Sequence, residues 1–90
     1  MAELPDTIEE MKVALSRKLA NRASKQLIER LVSQLDDGLE GTGALTGALI
    51  KVRTVLNLFV GEELAQEVYH HLTQIAVARG HLSRVNETLF

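Results

Sequence analysis

The stretch ALTGALIKVRTVLNLFV, Ala44–Val60, decides how this chain folds. Leu45, Leu49, Val52, Leu56 and Phe59 recur at alternating spacings of four and three, which is the seam of a helix that buries one face. Ala48, Ile50, Val55, Leu58 and Val60 widen the seam. Thr46, Lys51, Arg53, Thr54 and Asn57 are left to face water. A soluble helix this apolar is normally covered on several sides, so the other helices are expected to cover it. Its length is at the lower limit for a membrane span. Lys51 and Arg53 in its middle would each cost about 2.5–3.5 kcal/mol on insertion, so a core helix is the better reading and no transmembrane segment is expected.

Working outward towards the N-terminus, Asp36-Asp37-Gly38-Leu39-Glu40-Gly41-Thr42-Gly43 is too rich in glycine and acid to stay helical. Gly38 is expected as a left-handed helix cap, and Thr42 as the N-cap of the apolar helix. Before it, Leu27, Ile28, Leu31, Val32, Leu35 and Leu39 form a second helical stripe, with Ser24 placed to cap it. Further back, Ile8, Met11, Leu15 and Leu19 form a narrower stripe. Asp6 with Glu9, or Thr7 with Glu10, has capping-box spacing, and Pro5 is read as standing just outside the helix. No Gly or Pro separates the first two helices, so they are read either as two elements or as one longer kinked helix.

Working outward towards the C-terminus, Gly61 ends the apolar helix and Glu62-Glu63 opens the next with the charge its dipole prefers. Leu64, Ala65, Val68, Leu72, Ile75 and Ala76 form its stripe, with Tyr69 alongside, and Arg79-Gly80 closes it. The tail HLSRVNETLF keeps Leu82, Val85 and Leu89 at helical spacing, as a last docked turn or a loose end. The expected fold is all-α: an antiparallel four-helix bundle with helices over about 7–21, 24–38, 43–60 and 62–79, and a short C-terminal tail. Its 90 residues make one domain, 1–90.

Composition narrows the chemistry. The chain has no Cys, so disulfides and thiol chemistry are excluded. A net charge of −2 argues against general nucleic-acid affinity. The acidic start MAELPDTIEE has no apolar core of a secretory signal, which points to the cytoplasm. Glu63, Glu67 and His71 lie at i, i+4 and i+8, with His70 and His81 near in sequence. No four-ligand zinc set is assembled, so they read as a solvated face and no metal is expected. Lys12, Arg17, Lys18, Arg22, Lys25 and Arg30 concentrate positive charge in the first third. That is either a patch for an anionic surface or partner, or ordinary faces that pair with acids elsewhere. No aromatic residue interleaves it for base stacking. Gly41-Thr42-Gly43 lacks the lysine and upstream strand of a phosphate loop and reads as a capped turn. No nucleophile stands in a catalytic motif, so no enzyme, catalytic residue or cofactor is expected. The adaptable groups of the last quarter point to protein contact, with Arg79, His81, Arg84 and Phe90 as candidate partner-binding residues.

From Leu27 on, the pieces LIERLVSQL, GTGALTGALIKV, HHLTQIAVARG and HLSRVNETLF resemble, in their order, the immunity proteins of pediocin-like bacteriocins. Leu72 and Ile75 match that family's Leu-x-x-Ile step. The chain is slightly acidic where those proteins are usually basic, and its first helix is short. The resemblance implies a small cytosolic antiparallel four-helix bundle without catalysis. It would act from the cytosolic side, as a peripheral partner, on a sugar-transporter membrane complex that the toxin targets. The alternative from the residues alone is another small helical interaction module, such as a secretion chaperone or phage accessory protein. The first reading expects a monomer, the second a homodimer or an obligate partner.

Overall fold

Ser24, Gly41, Gly61 and Gly80 set the boundaries of four helices, α1 (Leu4–Leu19), α2 (Lys25–Leu35), α3 (Thr42–Val60) and α4 (Glu62–Ala78). The computed structural model describes residues 3–81, so the tail with Leu82, Val85 and Leu89 lies outside the described residues. Among the described residues the chain is all-α, with no strand. A 3₁₀ turn, Asp36–Glu40, leads from α2 into α3.

Each boundary has a local cause. The Ser24 hydroxyl accepts a hydrogen bond from the Leu27 N–H at 3.1 Å, and its extended backbone separates α1 from α2. Those two helices are therefore distinct elements. Gly61 alone joins α3 to α4 at φ +95°, a conformation that side chains with a Cβ resist. At the end of α4, Gly80 turns left-handed at φ +82°. The His81 N–H then donates to the Ala76 carbonyl at 2.9 Å and the Gly80 N–H to Val77 at 3.0 Å. That pair of bonds is a Schellman closure.

Three boundary expectations are corrected. First, α1 starts at Leu4, with Glu3 as a cap that makes no side-chain bond, so no capping box forms at Asp6 or Thr7. Pro5 lies inside the first turn, where a missing N–H is harmless and its fixed φ favours the helix. Thr7 is fully buried, its N–H bonded to the Glu3 carbonyl. Second, α1 ends at Leu19 and α2 at Leu35, both earlier than expected. Leu39 leaves the core stripe and is exposed, because the tighter turn rotates it outward. Third, Gly38 is not left-handed; the positive-φ glycines are Gly41, Gly61 and Gly80. Gly41, not Thr42, holds the N-cap position of α3.

Gly38 serves close approach instead. It is buried in the 3₁₀ turn, and a Cβ there would stand 2.9 Å from Leu45 Cδ1, 3.1 Å from Ile8 Cδ1 and 3.2 Å from Leu45 Cα. The turn thus seats against the starts of both α1 and α3.

The helices close a ring: α1 packs on α2, α2 on α3, α3 on α4, and α4 back on α1, while the diagonal pairs stay apart. The link from α1 to α2 cannot carry the chain back to the start of α1. Residues 20–24 reach at most about 18 Å, whereas the 16 residues of α1 span about 24 Å. Helix α2 therefore does not run parallel to α1. Into the ring point Met11, Leu15 and Leu19 from α1, Leu31 and Leu35 from α2, Leu45, Leu49, Val52 and Leu56 from α3, and Val68, Leu72 and Ala76 from α4.

The ring also decides what is not covered. Each helix has two neighbours and one inward face, so its outward face meets water. The expectation that α3 is wrapped on several sides is corrected accordingly: Leu58 is 78% exposed and Ile50 42%. Phe59, expected in the seam, is 64% exposed, because it lies one turn past Leu56 in the last turn of α3.

Two stability measurements check this packing. Gly38→Ala is expected to cost about 1–3 kcal/mol in urea unfolding, because the Leu45 backbone cannot yield as a side-chain tip can. Thr7→Val is expected to stabilise by about 1 kcal/mol, because the buried Thr7 hydroxyl has no hydrogen-bond partner.

Candidate protein-docking surface

The residues that face away from the core of α3 follow from its seam. With Leu45, Leu49, Val52 and Leu56 inward, a turn of 100° per residue puts Gly43, Gly47, Ile50, Thr54 and Leu58 on one outward stripe. Thr54 turns its hydroxyl back to the Ile50 carbonyl at 2.9 Å, which leaves its methyl for the surface. Lys51 and Asn57 flank the stripe and are exposed. Arg53 is drawn towards α4, its guanidinium 4.6 Å from the centre of the Tyr69 ring.

Phe59 stands away from this stripe, on the seam side of the last turn of α3 at the end of the bundle. There a hollow of about 440 Å³ is lined by Arg22, Ala23, Leu27, Arg30, Phe59 and Val60. Another, of about 630 Å³, shares Arg22, Phe59 and Val60 and adds Glu63, Leu64 and Glu67. Both are open to solvent, and Phe59 stands between them. The window Gly43–Val60 has a mean hydropathy of 1.4, long and apolar enough for a span by composition, yet only 28% of it is buried.

Three cations of α1 and the α1–α2 link, Lys12, Lys18 and Arg22, lie near acids on other elements. Lys12 pairs with Glu9 and with Asp36 of the 3₁₀ turn. Lys18 and Arg22 lie 3.9 and 4.0 Å from Glu67 of α4. Each surface pair contributes between about zero and 1 kcal/mol, so they orient the helices more than they hold them.

Of the candidate partner-binding residues, Arg79 and His81 lie among the described residues. Arg79 bonds the Glu10 carboxylate and so ties the end of α4 to α1. His81 is half-buried just beyond Gly80. Arg84 and Phe90 lie outside the described residues. Of the residues weighed for zinc, Glu67 turns to Lys18 and Arg22, and His70 Nε2 meets Gln74 Nε2 at 3.1 Å. No group of three His, Asp or Glu able to hold a metal occurs among the described residues. In the Gly41-Thr42-Gly43 turn, the Gly41 N–H is committed to the Gly38 carbonyl at 3.3 Å.

The apolar count of α3 does not by itself separate Leu58 and Ile50 from the core residues of that helix. The signal was present: both lie opposite the seam through Leu45 and Leu56 on a helical wheel. No family model, curated protein or solved structure matches this chain.

The surface reading separates two kinds of leucine in one helix. Leu58→Ser and Phe59→Ser are expected to leave stability within about 0.5 kcal/mol of wild type. Leu56→Ala, one turn inward, is expected to cost about 2–5 kcal/mol in the same urea titration.

Proposed function

We propose that this chain is a non-enzymatic helical binding module that docks a protein through the outward face of α3. The observation that carries it is the exposure of Leu58 and Ile50 on one stripe of a helix whose other face is fully used. Scattered surface leucines are ordinary. Here Ile50 and Leu58 stand about two turns apart on the outward side of a single helix, and no ionisable group falls on the stripe between them. Burying a leucine contributes about 1.5–3 kcal/mol, so the face gains from any matching surface.

Immunity against a pediocin-like bacteriocin is the specific form of this proposal that the resemblance supplies. The four-helix ring supports it. In that form the partner is a membrane transporter complex met from the cytosolic side, and Arg79, His81, Arg84 and Phe90 are the contacts it names. The general form, a chaperone-like or phage accessory module, is supported by the α3 face itself.

A photo-crosslinking amino acid in place of Leu58, and separately in place of Val13, tests the general form in the producing cell. Val13 is also apolar and exposed, but on α1, across the ring from α3. A discrete adduct from position 58 and none from position 13 is expected. Adducts from both positions, or from neither, would remove the docking reading. For the specific form, sensitive cells expressing the chain are challenged with a panel of bacteriocins, and absence of protection against all of them ends it.

A further inference from the structure

We infer that the hollow between the start of α2 and the end of α3 is a binding site for a small amphipathic anion, an apolar body that ends in a carboxylate or phosphate. The site is separate from the outward stripe of α3 and does not rest on the docking of a protein there.

The wall of the hollow and its charge lead to this ligand. Ala23, Leu27, Phe59 and Val60 make it apolar, and the ionisable groups that line it are both cations, Arg22 and Arg30. Glu29 stands next to Arg30 in the chain but does not line the hollow. Arg30 makes no ion pair among the described residues. Arg22 stands 4.0 Å from Glu67, beyond the length of a charge-assisted hydrogen bond. Both guanidinium groups thus have donors to spare. Phe59 is 64% exposed, so an apolar body laid against it takes from water a ring that the bundle leaves wet.

The hollow on the other side of Phe59 supplies the contrast. It shares Arg22, Phe59 and Val60, but Glu63 and Glu67 line it as well. An anion there meets two carboxylates, so charge selects the α2 side of Phe59. The backbone adds a smaller contribution of the same sign. Helix α2 has no acid in its first turn, and the Ser24 hydroxyl takes the Leu27 N–H. The Lys25 and Gln26 N–H groups are left without an acceptor inside the helix, at the positive end of its dipole.

Size and side-chain type agree with a small molecule. The volume of about 440 Å³ falls within the roughly 300–1,000 Å³ of small-molecule sites. Arginine suits the anionic head, because its planar fork takes both oxygens of a carboxylate or phosphate. The hollow is open to solvent, so part of the ligand stays in water and little polar surface is desolvated. Binding is therefore weak, with a Kd on the order of 10–1,000 µM.

The test is an NMR titration of the full chain with sodium decanoate below its micelle concentration, read at the backbone amides. Saturable shifts centred on residues 22–30, 59 and 60 are expected. Acetate, which lacks the body, and decyltrimethylammonium, which reverses the charge, are expected to give none there. Arg30→Gln and Phe59→Ser are each expected to weaken decanoate by about tenfold. Leu58→Ser, on the α3 stripe, is expected to leave it unchanged. The spectrum of each variant reports that it is folded. No saturable shift with decanoate overturns the site. Equal shifts with decyltrimethylammonium overturn its selection of anions, and indifference to Arg30→Gln overturns the part given to the arginines. Binding lost in Leu58→Ser and kept in Phe59→Ser moves the anion to the α3 stripe and overturns this hollow. Sedimentation of the chain with phosphatidylglycerol vesicles, without saturable decanoate binding, assigns the anionic head to a lipid surface and overturns the small-molecule form.

Discussion

The seating of Gly38 between Leu45 and Ile8 is the constraint from which the rest of the bundle follows. It brings the 3₁₀ turn, the first turn of α1 and the start of α3 to one point, closer than any side chain would allow. The turn changes the path of the chain after Leu35, and Gly41 at φ +145° completes the change. Once α3 starts there, its seam must face Leu31 and Leu35 on one side and Val68 and Leu72 on the other. Helix α1 then closes the ring through Met11, Leu15 and Leu19.

Polar chemistry plays a secondary part. Arg79 with Glu10 and Lys18 with Glu67 join α4 to α1, the two helices farthest apart in sequence. Exposed pairs of this kind add little free energy. Their value is in orientation, because the α1–α4 contact has no linker to guide it. A few buried polar atoms remain without partners, among them the hydroxyls of Thr7 and Thr73 and Nε2 of His81. Thr7 shows how this arises: Pro5 starts α1 early, and the residue placed to cap the helix becomes part of its interior.

A ring of four helices buries one face of each and bares the other. For α1 and α2 the bared face is mostly charged, as it is in any soluble bundle. For α3 it holds Gly43, Gly47, Ile50, Thr54 and Leu58. The same helix therefore supplies both the core seam and the surface proposed for docking. The proposed function is read from that second face, where Ile50 and Leu58 are exposed.

Several features were determined by the sequence alone: the all-α class, most of the inward stripes and the glycine stops at Gly61 and Gly80. All of these depend on local periodicity or on a backbone angle that one residue type tolerates. Helix starts and the role of Gly38 were decided by the tertiary structure. Thr7 and Asp6 cap equally well on local grounds, yet the helix starts at Leu4 and Thr7 is buried inside the bundle. Gly38 looks like a helix stop until Leu45 and Ile8 stand beside it. The outward face of α3 lies between these cases. Its angles were in the sequence, but whether a fifth element would cover it was not. Exposure is a property of neighbours, and periodicity gives the direction of a side chain without saying what lies there.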